Sequence, residues 1–165
     1  MKNRLISAVL ALTMIAPTAL ASCGAESVSY ASNIAVSQLI TAADNALNYE
    51  ETLTQVPDDY IRGMMGIDTS SFADYAVKIR ASGTNIDEYG IFKAPDGVPV
   101  SDIEAIAQNY FKTRLDIWMD EYMPEEKPKL ENAEIEVIGD YVVYCILDDA
   151  SKDTVFGAVK SELTK

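Results

Sequence analysis

From residue 75 onward the chain alternates. Tyr75, Val77, Ile79 and Ala81 interleave with Ala76, Lys78 and Arg80, the period of two expected of a half-buried strand. Ser82-Gly83-Thr84-Asn85 reads as a turn, and residues 88–94 return as a second strand until Pro95-Asp96-Gly97 breaks it. The period then lengthens. Ser101 is placed to cap a long helix with Ile103, Ala107, Phe111, Leu115, Trp118 and Tyr122 on one stripe, ended by Pro124 and Pro128. A second hairpin follows in AEIEVIGDYVVYCILDD, with Gly139-Asp140 as a two-residue turn. Asp149 or Ser151 caps a last helix carrying Val155, Val159 and Leu163. Upstream, Val36, Ile40, Ala43 and Leu47 recur at helical steps, with Ser32 or Asn33 as cap. Between them, Pro57-Asp58-Asp59 opens a short helix through Met64-Met65 that Gly66 ends; the paired methionines read as core filler.

The order is strand, strand, helix, repeated. At an offset of 52 the two units align Tyr89 with Tyr141, Phe92 with Tyr144, Ile103 with Val155, Ala107 with Val159 and Phe111 with Leu163. The predicted fold is α+β: a four-stranded antiparallel sheet with both long helices on one face, plus an N-terminal helix, all in one domain over residues 33–165.

The second hairpin pairs Val137 with Val142 and Ile135 with Tyr144, which points these four at the helices. The opposite face then receives Glu134, Glu136, Ile138, Tyr141, Val143 and Cys145, joined by Tyr89, Ile91 and Lys93 beside Lys78 and Arg80. So apolar a face needs a cover. Two covers are open: the N-terminal helix, through its Val36, Ile40 and Leu47 stripe, or a partner molecule. In the second case Lys78, Arg80, Tyr89, Ile91, Tyr141 and Val143 form a candidate partner surface.

The first residues have another pattern. Lys2 and Arg4 precede an almost wholly apolar run, Leu5 to Leu20, and small residues follow, the three-part form of a secretory leader over residues 1–22. The run is short for a membrane span, which needs about 20 apolar residues. Leu20-Ala21-Ser22-Cys23 resembles the lipobox of bacterial lipoproteins, which implies a diacylglyceryl-modified Cys23 as the mature N-terminus and lipid-attachment site. Two acyl chains suffice for stable anchoring. The expectation is a protein lipid-anchored to the cell membrane on its extracytoplasmic face, with residues 23–32, small and polar, as a flexible tether. Cys145 then has no disulfide partner and reads as a buried structural thiol.

Two stretches carry a further likeness. ASGTNIDEYGIFKAPD and PKLENAEIEVIGDYVVYCILDD resemble the family catalogued as domain of unknown function 4358, small lipoproteins of Gram-positive gut bacteria. Asp140 stands where that pattern leads one to expect asparagine, and Met65 where an aromatic residue is frequent. The resemblance implies a lipoprotein and brings no activity and no functional residues with it.

Charge narrows the partners. The 165 residues hold 13 basic and 26 acidic side chains, a net charge of −13, which becomes −15 without the leader. Such a chain repels polyphosphates, so nucleic acid is not an expected partner. There is no histidine, so the usual base for a cysteine or serine nucleophile is missing. Asp58-Asp59, Glu125-Glu126 and Asp148-Asp149 are adjacent carboxylates on polar turns, not two carboxyls facing across a cleft. Asp148, Asp149 and Asp153 lack the spacing and glycine of a calcium loop, and no metal or cofactor is expected. These observations favour a tethered binding or accessory module that meets an envelope protein, a peptide or a glycan. The alternative is a small extracytoplasmic hydrolase using carboxylates.

Overall fold

The computed structural model describes residues 28–83 and 85–165. The leader, Cys23 and the first part of the tether lie outside the described residues. The elements are α1 (Val36–Leu47), β1 (Thr54–Gln55), α2 (Asp58–Gly63), a single 3-10 turn (Thr69–Ser71), β2 (Asp74–Ile79), β3 (Glu88–Lys93), α3 (Val100–Asp116), α4 (Lys127–Glu131), β4 (Glu134–Ile138), β5 (Tyr141–Ile146) and α5 (Asp149–Leu163).

The strands form one antiparallel sheet in the order β1-β2-β3-β5-β4. Both predicted hairpins are present with the predicted registers: Lys78 lies opposite Tyr89, and Val137 opposite Val142. Gly139, at φ +61°, makes the tight turn between β4 and β5. The sheet has five strands rather than four. The extra one, β1, pairs Thr54 with Ile79 and Gln55 with Lys78 at the edge, and Pro57 stops it after two residues. Two residues are too few to show alternation.

A larger departure concerns the helices, which cover both faces. Ala76, Tyr89, Ile91, Tyr141, Val143 and Cys145 pack against α1 and α5, whereas Val77, Phe92, Val142, Tyr144 and Ile146 pack against α2, α3 and α4. The two repeats therefore agree in their strands and part at their helices: Ile103 of α3 and Val155 of α5 lie in opposite layers. The reason is in β5, where all six residues are buried. A central strand apolar on both sides requires two covers, and a sheet about 20 Å wide seats roughly two helices per face.

Helix boundaries follow local chemistry. Asp148, one residue before the predicted cap, receives the Ser151 N–H at 3.0 Å and opens α5. The first helical N–H of α1, from Val36, is satisfied by a remote residue: it donates to Asp74 Oδ2 on β2 at 2.8 Å. Asn48, in the left-handed region at φ 47°, closes α1. Helix α3 starts after Pro99 and ends at Asp116, so Trp118 and Tyr122 fall in the loop that follows. The chain is fixed to the domain from Tyr30 onward, inside the stretch expected to be a tether. Tyr30 packs against Gly139, and the Ala31 N–H donates to the Leu163 carbonyl at 2.8 Å.

Candidate functional site

The six residues of the candidate partner surface share one face, but α1 and α5 cover it. Tyr89, Ile91, Tyr141 and Val143 have no exposed surface. Asp44 on α1 accepts from the Tyr89 hydroxyl at 2.7 Å and from Lys78 Nζ at 2.8 Å, and the Tyr141 hydroxyl donates to the Ile34 carbonyl at 2.6 Å. Arg80 lies over the Tyr49 ring and donates to the Glu51 carbonyl at 2.7 Å. The candidate partner surface is therefore an internal interface, closed by the first of the two covers, the N-terminal helix, together with α5. Its polar tips, which sequence alone left free to meet a partner, are consumed by the segment just upstream of β1. Cys145, on the same face, has no exposure, and burial pushes its thiol pKa well above the ordinary value. Such a thiol is inert.

The opposite layer contains an open site. Residues 58–72 lie against the sheet through Ile61, Met65, Ile67 and Phe72, and Phe72 stacks on Phe92 with ring centres 4.3 Å apart. Asp58 is bound by Arg62 and by the Tyr75 hydroxyl; the Arg62 bond, then the Tyr75 and Thr69 hydroxyls, hold its carboxyl down at about 2. Gly66, at φ +69°, reverses the chain into the 3-10 turn that Asp68 caps. Between this segment and α3 runs a groove of about 390 Å³, walled by Met65, Ile67 and Ser71 on one side and Ile106, Asn109 and Thr113 on the other. It continues into a cavity of about 180 Å³ bounded by Tyr60, Met64, Arg114 and Ile117.

A buried ionic group lines this cavity. Arg114 Nη1 donates to Glu88 Oε2 at 2.5 Å and to the Tyr110 hydroxyl at 3.0 Å, while the Tyr144 hydroxyl donates to Glu88 Oε1 at 2.8 Å. Burial first, then the charge of Glu88, raises the Tyr110 and Tyr144 phenols, so both remain donors. Burial opposes the Arg114 cation, but Glu88 beside it outweighs this and raises its pKa. Just before β3, Asp87 is neutralised by Lys129 at 2.8 Å and Arg80 at 3.5 Å. Glu88 and Asp87 are thus both in ion pairs, whereas Asp68, on the groove wall, is held by the Ser70 hydroxyl and N–H. A general acid needs a carboxyl kept protonated by its surroundings, and the carboxyl on the groove wall, Asp68, is instead lowered by its Ser70 hydrogen bonds.

What the groove offers is apolar surface. Met64 and Ile117, which flank its open end, are 75% and 73% exposed. Met119 and Tyr122 follow on the next loop at 67% and 55%. Sequence reasoning assigned Met64-Met65 jointly to the core; Met65 is buried there, and Met64 points out. The predicted helical stripe runs on through Trp118 and Tyr122, whereas α3 ends at Asp116 and leaves this loop exposed. The acidic residues among these apolar ones, Asp116-Ile117-Trp118-Met119-Asp120-Glu121-Tyr122, were the available signal.

The fold and site define a small α+β domain, an antiparallel sheet covered on both faces, with a groove between the segment that follows α2 and helix α3. The family model described as Domain of unknown function (DUF4358) matches residues 45–147, more than half of the chain. The chain belongs to that family. The matched span contains the whole sheet and every wall of the groove, and leaves α5 and most of α1 outside. Comparison with curated proteins and with solved structures gave no match. Among the described residues, no helix is long and apolar enough to cross a membrane, and no cluster of acidic, cysteine or histidine side chains suits a metal ion.

Proposed function

We propose that this protein is a membrane-tethered extracytoplasmic binding module, anchored through lipid on Cys23 and engaging a partner with the α2–α3 groove. The observation that carries this reading is the separation of two ends. Tyr30 meets the domain at the β4–β5 turn, near Asp74, Lys93 and Tyr141 in the sheet register. The open end of the groove lies by Glu88, at the other end of the same strands, about 20 Å away for six residues of strand. The seven residues from Cys23 to Tyr30 reach at most about 25 Å. A lipid on Cys23 therefore holds the β4–β5 end within about 25 Å of the bilayer.

A photo-crosslinking side chain at Ile117, and another at Thr154 on α5, test this in intact cells. The Ile117 probe is expected to capture a discrete partner that the Thr154 probe does not. Cys23→Ala is expected to move the protein out of the membrane fraction. Equal labelling from both positions, or a mature chain that is membrane-bound without lipid, refutes the reading.

A further inference from the structure

The chemistry of the groove's surroundings says what kind of partner fits. Met64 and Ile117 flank the opening, and the apolar surface continues past Ile117 to Met119 and Tyr122. Long flexible methionines with an aromatic ring form a surface that accepts large apolar side chains. The cations beside it, Arg62, Lys112 and Arg114, are each paired with a carboxylate of the chain. Asp68 borders the groove, and its carboxylate is held by the Ser70 hydroxyl and N–H, which lower its pKa, not by a cation. Glu121 and Glu125 are exposed on the loop that bears Met119 and Tyr122. Among the described residues, none of these three carboxylates lies within ion-pair distance of a lysine or arginine. Asp116 and Asp120, by contrast, are paired with Lys112 and Lys127.

We infer that the groove and the 117–125 loop receive a basic amphipathic segment of another protein, one with large apolar side chains on one face and lysine or arginine on the flanks. This rests on the binding-module reading and deepens it. The apolar face enters between Met64 and Ile117, and the cations meet Asp68, Glu121 and Glu125. An acidic or neutral apolar segment lacks the second half of this match, and the net charge of −15 on the mature chain repels an acidic one.

The test uses the full lipidated chain in phosphatidylcholine nanodiscs. The probes are a peptide of about 14 residues built from leucine and lysine at helical spacing and its leucine–glutamate counterpart. Hydrogen exchange read by mass spectrometry is expected to show protection of residues 60–71 and 105–123 with the lysine peptide only. Asp68→Asn with Glu121→Gln and Glu125→Gln is expected to weaken that peptide about fivefold and to flatten its salt dependence. Ile117→Ser, a solvent-exposed change that leaves the core intact, is expected to weaken it about tenfold. Removing Asp149 and Asp153 on α5 should leave affinity within about twofold, which separates the site from general acidity. Protection spread over α1 and α5, or equal binding of the two peptides, overturns the inference. So does protection of 60–71 by nanodiscs alone that detergent micelles do not give, since the occupant is then the bilayer. A specific Ile117 crosslink to a protein with no basic segment overturns this partner chemistry and leaves the binding module standing.

Discussion

Gly90 is where a single methyl group should be least tolerated. It sits mid-strand in β3, directly opposite Tyr144 of β5, and the Tyr144 ring lies across it to reach Glu88. A Cβ on residue 90 would stand 2.3 Å from Tyr144 Cε1, 2.7 Å from Cζ and 2.9 Å from the hydroxyl. The ring is fully buried between Phe92, Tyr110 and Phe111, so it has no free space to move into. Overpacking of this kind costs about 1–3 kcal/mol. Displacing the phenol also removes a hydrogen bond to a buried carboxylate, about 1.5–3 kcal/mol, and the two costs overlap because one movement causes both. Gly90→Ala is therefore expected to lose about 3 kcal/mol, read as a drop in the urea midpoint with the slope unchanged. Tyr144→Phe, which keeps the ring and loses the hydroxyl, should lose about half of that. In Gly90→Ala/Tyr144→Ala the new methyl has room, so the double variant should be more stable than the sum of its singles by more than about 1 kcal/mol. A Gly90→Ala protein within about 0.5 kcal/mol of wild type, or strict additivity in the cycle, would show that the close approach has no energetic meaning.

Two further predictions concern protons and thiols. Cys145 should not react with a thiol reagent in the native domain and should react fully in urea; Cys145→Ala should cost about 1 kcal/mol, and rapid native labelling refutes the burial argument. The carboxyl of Asp58 is depressed from 3.8 to about 2, so the stability it adds is complete above its unfolded value and fades as pH falls through the folded one. The difference in urea midpoint between wild type and Asp58→Asn should accordingly hold from pH 7 to 5, shrink below pH 4 and vanish only below the folded value of about 2, and a difference that ignores pH contradicts the assignment.

What the sequence made legible was local. Alternation at 75–81, turn chemistry at 82–85 and 139–140, and helical spacing in α1, α3 and α5 placed the main elements and both hairpin registers, because each of these signals is written in neighbouring residues. The side of the sheet on which a helix lands is not local. Offset matching of Ile103 with Val155 suggested one shared face, yet Tyr-Val-Val-Tyr-Cys-Ile in β5 has no polar position and already implied two covers. Gly90 also carried a readable mark, since a lone glycine inside a strand pattern signals that something comes close; which ring it was depends on a pairing 54 residues away. The groove was least legible. Its walls come from α2, the 3-10 turn and α3, and the exposure of Met64 and Ile117 exists only because α2 and α3 end where they do.

The two layers divide the polar chemistry in a way that bears on which of them meets other molecules. In the α1–α5 layer the buried polar groups are matched within the chain: Asp44 takes Tyr89 and Lys78, Tyr141 takes the Ile34 carbonyl, and Lys152, 2% exposed, is held by Glu134, Asp149 and the Asn132 carbonyl. Opening that layer to admit a partner would strand several charged groups at once, at a few kcal/mol each. In the α2–α3 layer the buried charges, Glu88 and Arg114, are likewise matched, but beside them Met64 and Ile117 are left in water. A partner entering there covers Met64 and Ile117 and breaks no existing ion pair. Covering about 100 Å² of such surface is worth roughly 2.5 kcal/mol, with no charge left unpaired to offset it. The apolar sheet face that first looks like a binding surface in the sequence is thus the one the molecule cannot open, and the surface it can give to a partner is on the other side.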